Sequence, residues 1–179
     1  MFEDGLVRFC APVLLGKKPA ALFPKKNWWE EGFFCGGNPY MEFLTLSRAG
    51  GALILAYRPD LLAATLENHD VRGVLEKLDY PPAGGVEEYL RHLSWRFLAS
   101  EEFPHEVGFF LGYPPEDVLG FIHHRGAHSK FCGMWKVYGD VAKADALFRE
   151  YGRCKQRLLE YFQNGGVLQG SANLLSGRR

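Results

Sequence analysis

Apolar positions along this chain fall into blocks whose spacing changes from one block to the next. The opening stretch, 6–23, is apolar and punctuated by Pro12, Gly16 and Pro19. A helix starting near Cys10 would carry Pro12 in its first turn, where proline costs no hydrogen bond, and would stop early. Residues 27–39 read as a loop, with Trp28 and Trp29 followed by a turn at Cys35-Gly36-Gly37 and by Asn38-Pro39. A short segment at 43–46 leads through Ala49-Gly50-Gly51 into 52–57, an apolar run bounded by glycines and by Arg58-Pro59. That pattern predicts a buried strand. Pro59 and Asp60 open a helix with Leu61, Leu62, Thr65 and Leu66 on its inner face. Asp70 is placed to cap a second helix carrying Val71, Val74, Leu75 and Leu78. After a turn at 80–85, Val86, Tyr89, Leu90, Leu93 and Phe97 repeat at helical spacing through Ala99.

In the second half, 106–111 carries almost no polar residue and reads as a central strand. Pro115-Glu116-Asp117 opens a helix whose buried side is Val118, Leu119 and Ile122 and which ends at Gly126. Residues 130–138 form another strand candidate. Asp140 caps a long final helix with Ala144, Leu147, Phe148, Tyr151, Cys154, Leu158 and Tyr161 inward and Gly165 past its end. The small, polar tail beyond Val167 is expected to fray. Strands alternating with helices after residue 50 predict an α/β or α+β fold, a small mixed sheet covered by helices.

Length and composition narrow this picture. At 179 residues the expectation is one domain over 1–179. Apolar residues make up 47% and charged residues 23%, as in ordinary globular chains, and an aromatic share of 15% points to a core rich in Phe, Tyr and Trp. A formal net charge of zero removes the basic footprint of a general nucleic-acid binder. The lysines at 17, 18, 25 and 26, around two prolines, read as a solvated loop. Nowhere do the roughly 18 consecutive apolar residues of a membrane span occur. The N-terminus lacks the pattern of a signal peptide. The expected compartment is the cytoplasm, with Cys10, Cys35, Cys132 and Cys154 reduced.

Two blocks carry a family resemblance. One is Cys10-Ala11-Pro12 with Gly16, Lys18-Pro19 and Leu22-Phe23. The other runs from Phe103-Pro104-His105-Glu106-Val107-Gly108 through Leu111-Gly112-Tyr113-Pro114, Glu116-Asp117-Val118 and Gly120-Phe121-Ile122 to Trp135-Lys136-Val137-Tyr138-Gly139-Asp140. Together they resemble a family from anaerobic Gram-positive bacteria known only as a domain of unknown function. The resemblance spans nearly the whole chain, fits least well at 27–48, and implies a bacterial protein without implying an activity.

Candidate chemistry begins with Cys10 and His105. Cys-Ala-Pro at a helix start resembles the placement of the nucleophile in papain-like thiol enzymes, where free N–H groups and the helix dipole favour the thiolate. The run from His105 to Gly112-Tyr113 resembles the strand that carries their histidine, in the same chain order. The resemblance implies a hydrolase or acyltransferase with a papain-like fold. Cys10 would be its nucleophile, His105 its general acid and base, and Asp117 (or Asp140) the group orienting the ring, with no metal or cofactor needed. The glutamine that those enzymes place a few residues before the cysteine is absent here. His124, His128 and Cys132, spaced by four and next to His123, have donors suited to zinc or iron. Gly126 breaks the helix between them, so no metal site is expected. His105-Glu106 has Phe109 where a zinc protease would need its second histidine.

A rival, non-catalytic reading gives Tyr113 and Trp135 the walls of a pocket for a small molecule or a flat cofactor such as flavin or haem. Gly112 to Asp117 links a predicted strand to a helix, where α/β proteins often bind ligands, although Glu116 and Asp117 would repel a phosphate. A third reading is an adaptor that meets another protein or peptide through the Trp28-Trp29 loop.

Overall fold

The structure, a computed structural model, describes residues 5–25 and 41–167. Its centre is a three-stranded antiparallel sheet of β1 (Ala20–Pro24), β2 (Glu42–Arg48) and β3 (Gly51–Tyr57), in the order β1-β3-β2. β3 is the middle strand, and its pairing sets Ala20 and Glu42 both opposite Tyr57. A middle strand covered on both faces needs apolar residues at consecutive positions, which is why 52–57 reads as an unbroken run. Two residues, Ala49 and Gly50, join β2 to β3, and Gly50 adopts a φ of +86° that favours glycine. Every strand pair among the described residues is antiparallel, so the fold belongs to the α+β form of the expected class.

Side chains alternate across the sheet and divide the core in two. Ala20, Leu46, Leu55 and Tyr57 enter one cluster; Ala21, Phe23, Ile54 and Ala56 enter the other. The first cluster is covered by α3 (Pro59–Leu66), α4 (His69–Glu76), α5 (Val86–Ala99), α6 (Val107–Phe110) and α7 (Pro115–His124). The second is covered by a π-helical turn α1 (Leu6–Cys10), the short α2 (Ala11–Leu14) and the C-terminal half of α8 (Val141–Gln163). A hairpin of β4 (Phe131–Cys132) and β5 (Lys136–Val137) packs on the N-terminal half of α8 through Trp135, Val137, Ala144 and Tyr151.

Four local expectations are corrected. The predicted strand at 106–111 is a chain of tight turns around α6: Gly108 N–H donates to His105, Leu111 to Val107 and Tyr113 to Gly108. Its backbone groups are satisfied locally, so the run needs no strand partner. The cap of α4 is Asn68, whose side chain accepts from the N–H groups of Asp70 and Val71; Asp70 lies in the first turn instead. On α7 the buried residues are Asp117 and Val118, while Leu119 and Ile122 are 42% and 38% exposed. The segment 130–138 is a hairpin of two-residue strands. Asp140 caps α8 as expected, accepting from Ala142 and Lys143.

Candidate functional site

A cavity of about 430 Å³ opens between α6, α7, the β4–β5 hairpin and the turn at 103–105. Its size lies in the range of roughly 300–1,000 Å³ typical of small-molecule sites. Leu22 of β1 reaches it from the sheet, and Val107, Leu111, Val118 and Phe121 supply much of its apolar lining. Tyr113 and Trp135 line it too, stacked with ring centroids 4.5 Å apart.

Trp135 comes from a hairpin with little pairing of its own, so other contacts must hold it. Its indole N–H donates to Asp117 Oδ2 at 2.8 Å, and its ring meets Phe148 edge-on at 4.4 Å. The same carboxylate accepts through Oδ1 from the backbone N–H groups of Tyr138, at 2.7 Å, and Gly139, at 2.8 Å. One buried side chain of α7 therefore anchors the hairpin at three donors. Such bonds to a charged acceptor are worth about 1.5–3 kcal/mol each. Trp135 is 9% exposed as a result.

His105 borders the same cavity from the turn before α6. Its neighbour Glu106 is buried and accepts from Arg96 Nε at 2.8 Å and from Tyr80 Oη at 3.4 Å, which ties this turn to α5. The His105 ring lies between those of Phe103 and Phe121, with centroids 5.3 and 4.8 Å away. Cys132 and Lys136 complete the polar part of the lining, and Lys136 Nζ donates to Gly126 O at 2.5 Å.

The structure does not bring Cys10 to His105. Cys10 belongs to the opposite cluster, beneath the other face of the sheet, and is 1% exposed among aliphatic and aromatic side chains. Burial pushes its thiol up to about 12, against a smaller opposing pull from Lys18. The turn α1 runs directly into α2, so Cys10 follows a helical turn instead of standing at an open helix start. Each feature opposes formation of a thiolate. Asp117 shares the cavity lining with His105, but its carboxylate is engaged by Trp135, Tyr138 and Gly139. The expected triad of Cys10, His105 and Asp117 is corrected accordingly, while Tyr113 and Trp135 meet at one wall.

The other sequence candidates are placed as follows. The rings of His123 and His124 are 4.6 Å apart and those of His124 and His128 5.8 Å. Among the described residues, no group of three or more His, Cys, Asp or Glu side chains is arranged to hold a metal ion. Asp140 serves as a helix cap. Cys154 is buried in the cluster of Cys10. Trp28, Trp29 and Cys35 lie outside the described residues. Among those described, no helix is long and apolar enough to cross a membrane.

Sequence reasoning missed Lys18. It was expected in a solvated loop, yet its Nζ lies 5.0 Å above the Tyr113 ring and 5.8 Å from that of Tyr151. Burial lowers this amine to about 8, with Cys10 opposing that shift and Lys155 adding to it. The sequence signal is that one of the pair Lys17-Lys18 directly precedes Pro19 within an otherwise apolar stretch.

Fold and site together define the class: an α+β protein with an antiparallel sheet whose middle strand is buried on both faces and an aromatic-walled cavity beside it. Over residues 6–170 the chain matches the family described as protein of unknown function (DUF3793), and it belongs to that family. No curated protein and no solved structure matches it.

Proposed function

We propose that this protein binds a small, largely apolar molecule in the cavity walled by Tyr113 and Trp135. One observation carries the reading: a buried carboxylate, Asp117, uses both oxygens to hold a tryptophan and two backbone amides against the rim of a space of about 430 Å³. A merely structural hairpin could close onto α7 without leaving that volume. Stacked aromatic rings with few polar groups are the usual lining of small-ligand sites. The lining also offers no nucleophile paired with a base on the pattern expected from the sequence, so binding accounts for the site better than thiol chemistry does.

Phenylnaphthylamine, a neutral fluorescent molecule with two aromatic groups, tests this directly. Saturable binding of one probe per chain is expected. Val118→Phe, which narrows the lumen, should weaken it at least roughly tenfold, equivalent to about 1.4 kcal/mol. Leu98→Phe, on the exposed side of α5, should leave it unchanged. Binding that does not saturate, or that ignores Val118→Phe, overturns the proposal.

A further inference from the structure

We infer that the ligand of this cavity is an amphipathic anion, with its apolar part against Tyr113 and Trp135 and its negative head at Lys136 and His105. The inference rests on the binding reading above and adds the chemistry of the ligand's polar end.

It follows from which polar groups in the lining are already engaged. Among the described residues Asp117 is the only carboxylate there, and it accepts three hydrogen bonds from the protein itself. The acceptor side of the site is therefore satisfied internally. The donor side is not. Lys136 Nζ gives one hydrogen bond, to Gly126 O, and no carboxylate lies within ion-pair distance of it among the described residues. An ammonium has three N–H donors, so two remain for a ligand. The exposed His105 ring is tilted against those of Phe103 and Phe121, and among the described residues neither ring nitrogen has a hydrogen-bond partner. Behind it, the Arg48 guanidinium lies 5.3 Å from the centre of the Phe103 ring, which adds positive potential to the same end. Glu101 and Glu102 precede this turn but are exposed and do not line the cavity.

The chain as a whole carries no net charge, so this excess of donors is a local property. Low-dielectric walls concentrate the field of such groups at the mouth of a cleft. A neutral ligand would leave the donors facing water. A dianion would be under-neutralised, because among the described residues only one side chain bordering the cavity, Lys136, has a fixed positive charge. A single negative charge on an apolar body matches the arrangement.

Two probes with the same aromatic frame separate the charge from the cavity: phenylnaphthylamine and its sulfonated form, anilinonaphthalene sulfonate. The sulfonate is expected to bind roughly tenfold more tightly than the neutral probe. Lys136→Gln keeps a donor for Gly126 O and removes the charge, and should abolish the preference, read as the ratio of the two probes' affinities in the same variant. His105→Gln, at an exposed position, should reduce the preference in part. If the neutral probe binds saturably but the sulfonate is no tighter, or if Lys136→Gln leaves their ratio intact, the inference falls and the binding reading stands. If neither probe binds saturably, both fall.

Discussion

Three donors converge on the carboxylate of Asp117, and no neutral isostere can serve all of them. In Asp117→Asn the remaining oxygen still accepts from Tyr138 and Gly139, while the amide turns its own N–H groups toward the indole N–H of Trp135. Two donors then face each other in a dry site. A loss of about 2 kcal/mol of stability is expected, in line with a buried donor left unpaired. Trp135→Phe in the same background should cost much less than it does in the parent chain, because the conflict has gone with the indole. Urea unfolding of the four chains of this double-mutant cycle checks the claim, and additivity within about 0.5 kcal/mol would contradict it. Lys18 shows a second residue governed by its surroundings, since its position between two tyrosine rings follows from what the distant segments 113 and 151 bring to it.

Among the elements, capping gives the sharpest test. Asn68, and not Asp70, accepts the first free N–H groups of α4. Asn68→Ala is expected to cost about 1 kcal/mol and Asp70→Ala only a few tenths, measured by thermal or urea unfolding. The order would be reversed if Asp70 were the cap. Both residues suit a helix start, so pattern alone does not choose between them. The same ambiguity explains the misread α6. Val107, Phe109 and Phe110 are apolar at neighbouring positions because they are buried from every side, and a buried helical turn then looks like a buried strand. Gly112 marks the turn that follows, as its pattern suggests, and the structure gives the reason glycine stands there: φ is +70° and a Cβ would lie 2.6 Å from Pro19. By contrast, β3, α3, α5 and α8 were legible because their spacing or end residues admit one interpretation. Of the proposed site, Tyr113 and Trp135 stand out in the sequence as an aromatic pair, and their rings stack in the structure. The role of Asp117 was not legible, since which donors reach a carboxylate depends on how remote segments pack.

At the scale of the whole molecule, the sheet separates two chemically different sides. Cys10 and Cys154 are buried together on one, whereas Cys132 is exposed at the cavity mouth on the other. Iodoacetamide at pH 8.5 should modify Cys132 in the folded protein and leave Cys10 and Cys154 intact until denaturant is added, as read by peptide mass mapping. Early modification of Cys10 would contradict the arrangement. The same burial has a signed effect on stability. The Cys10 thiol ionises near 12 when folded against 9.0 as its ordinary value. Its contribution is therefore complete below pH 9 and is lost as pH rises toward 12, because the unfolded chain releases that proton first.

The hairpin that borders the cavity has its own consequence. It is fastened by one aspartate and a few aromatic faces, and among the described residues it shares no hydrogen bonds with the central sheet. Under the proposed binding role, only the hairpin side of the cavity is set apart from the fold's support, since Val107, Leu111 and Val118 on the other side belong to the core. Descendants of this chain could retailor Cys132 and Met134, both exposed, to suit other guests of the proposed site while the sheet beneath stayed as it is, whereas Gly133 is pinned by the Phe148 ring.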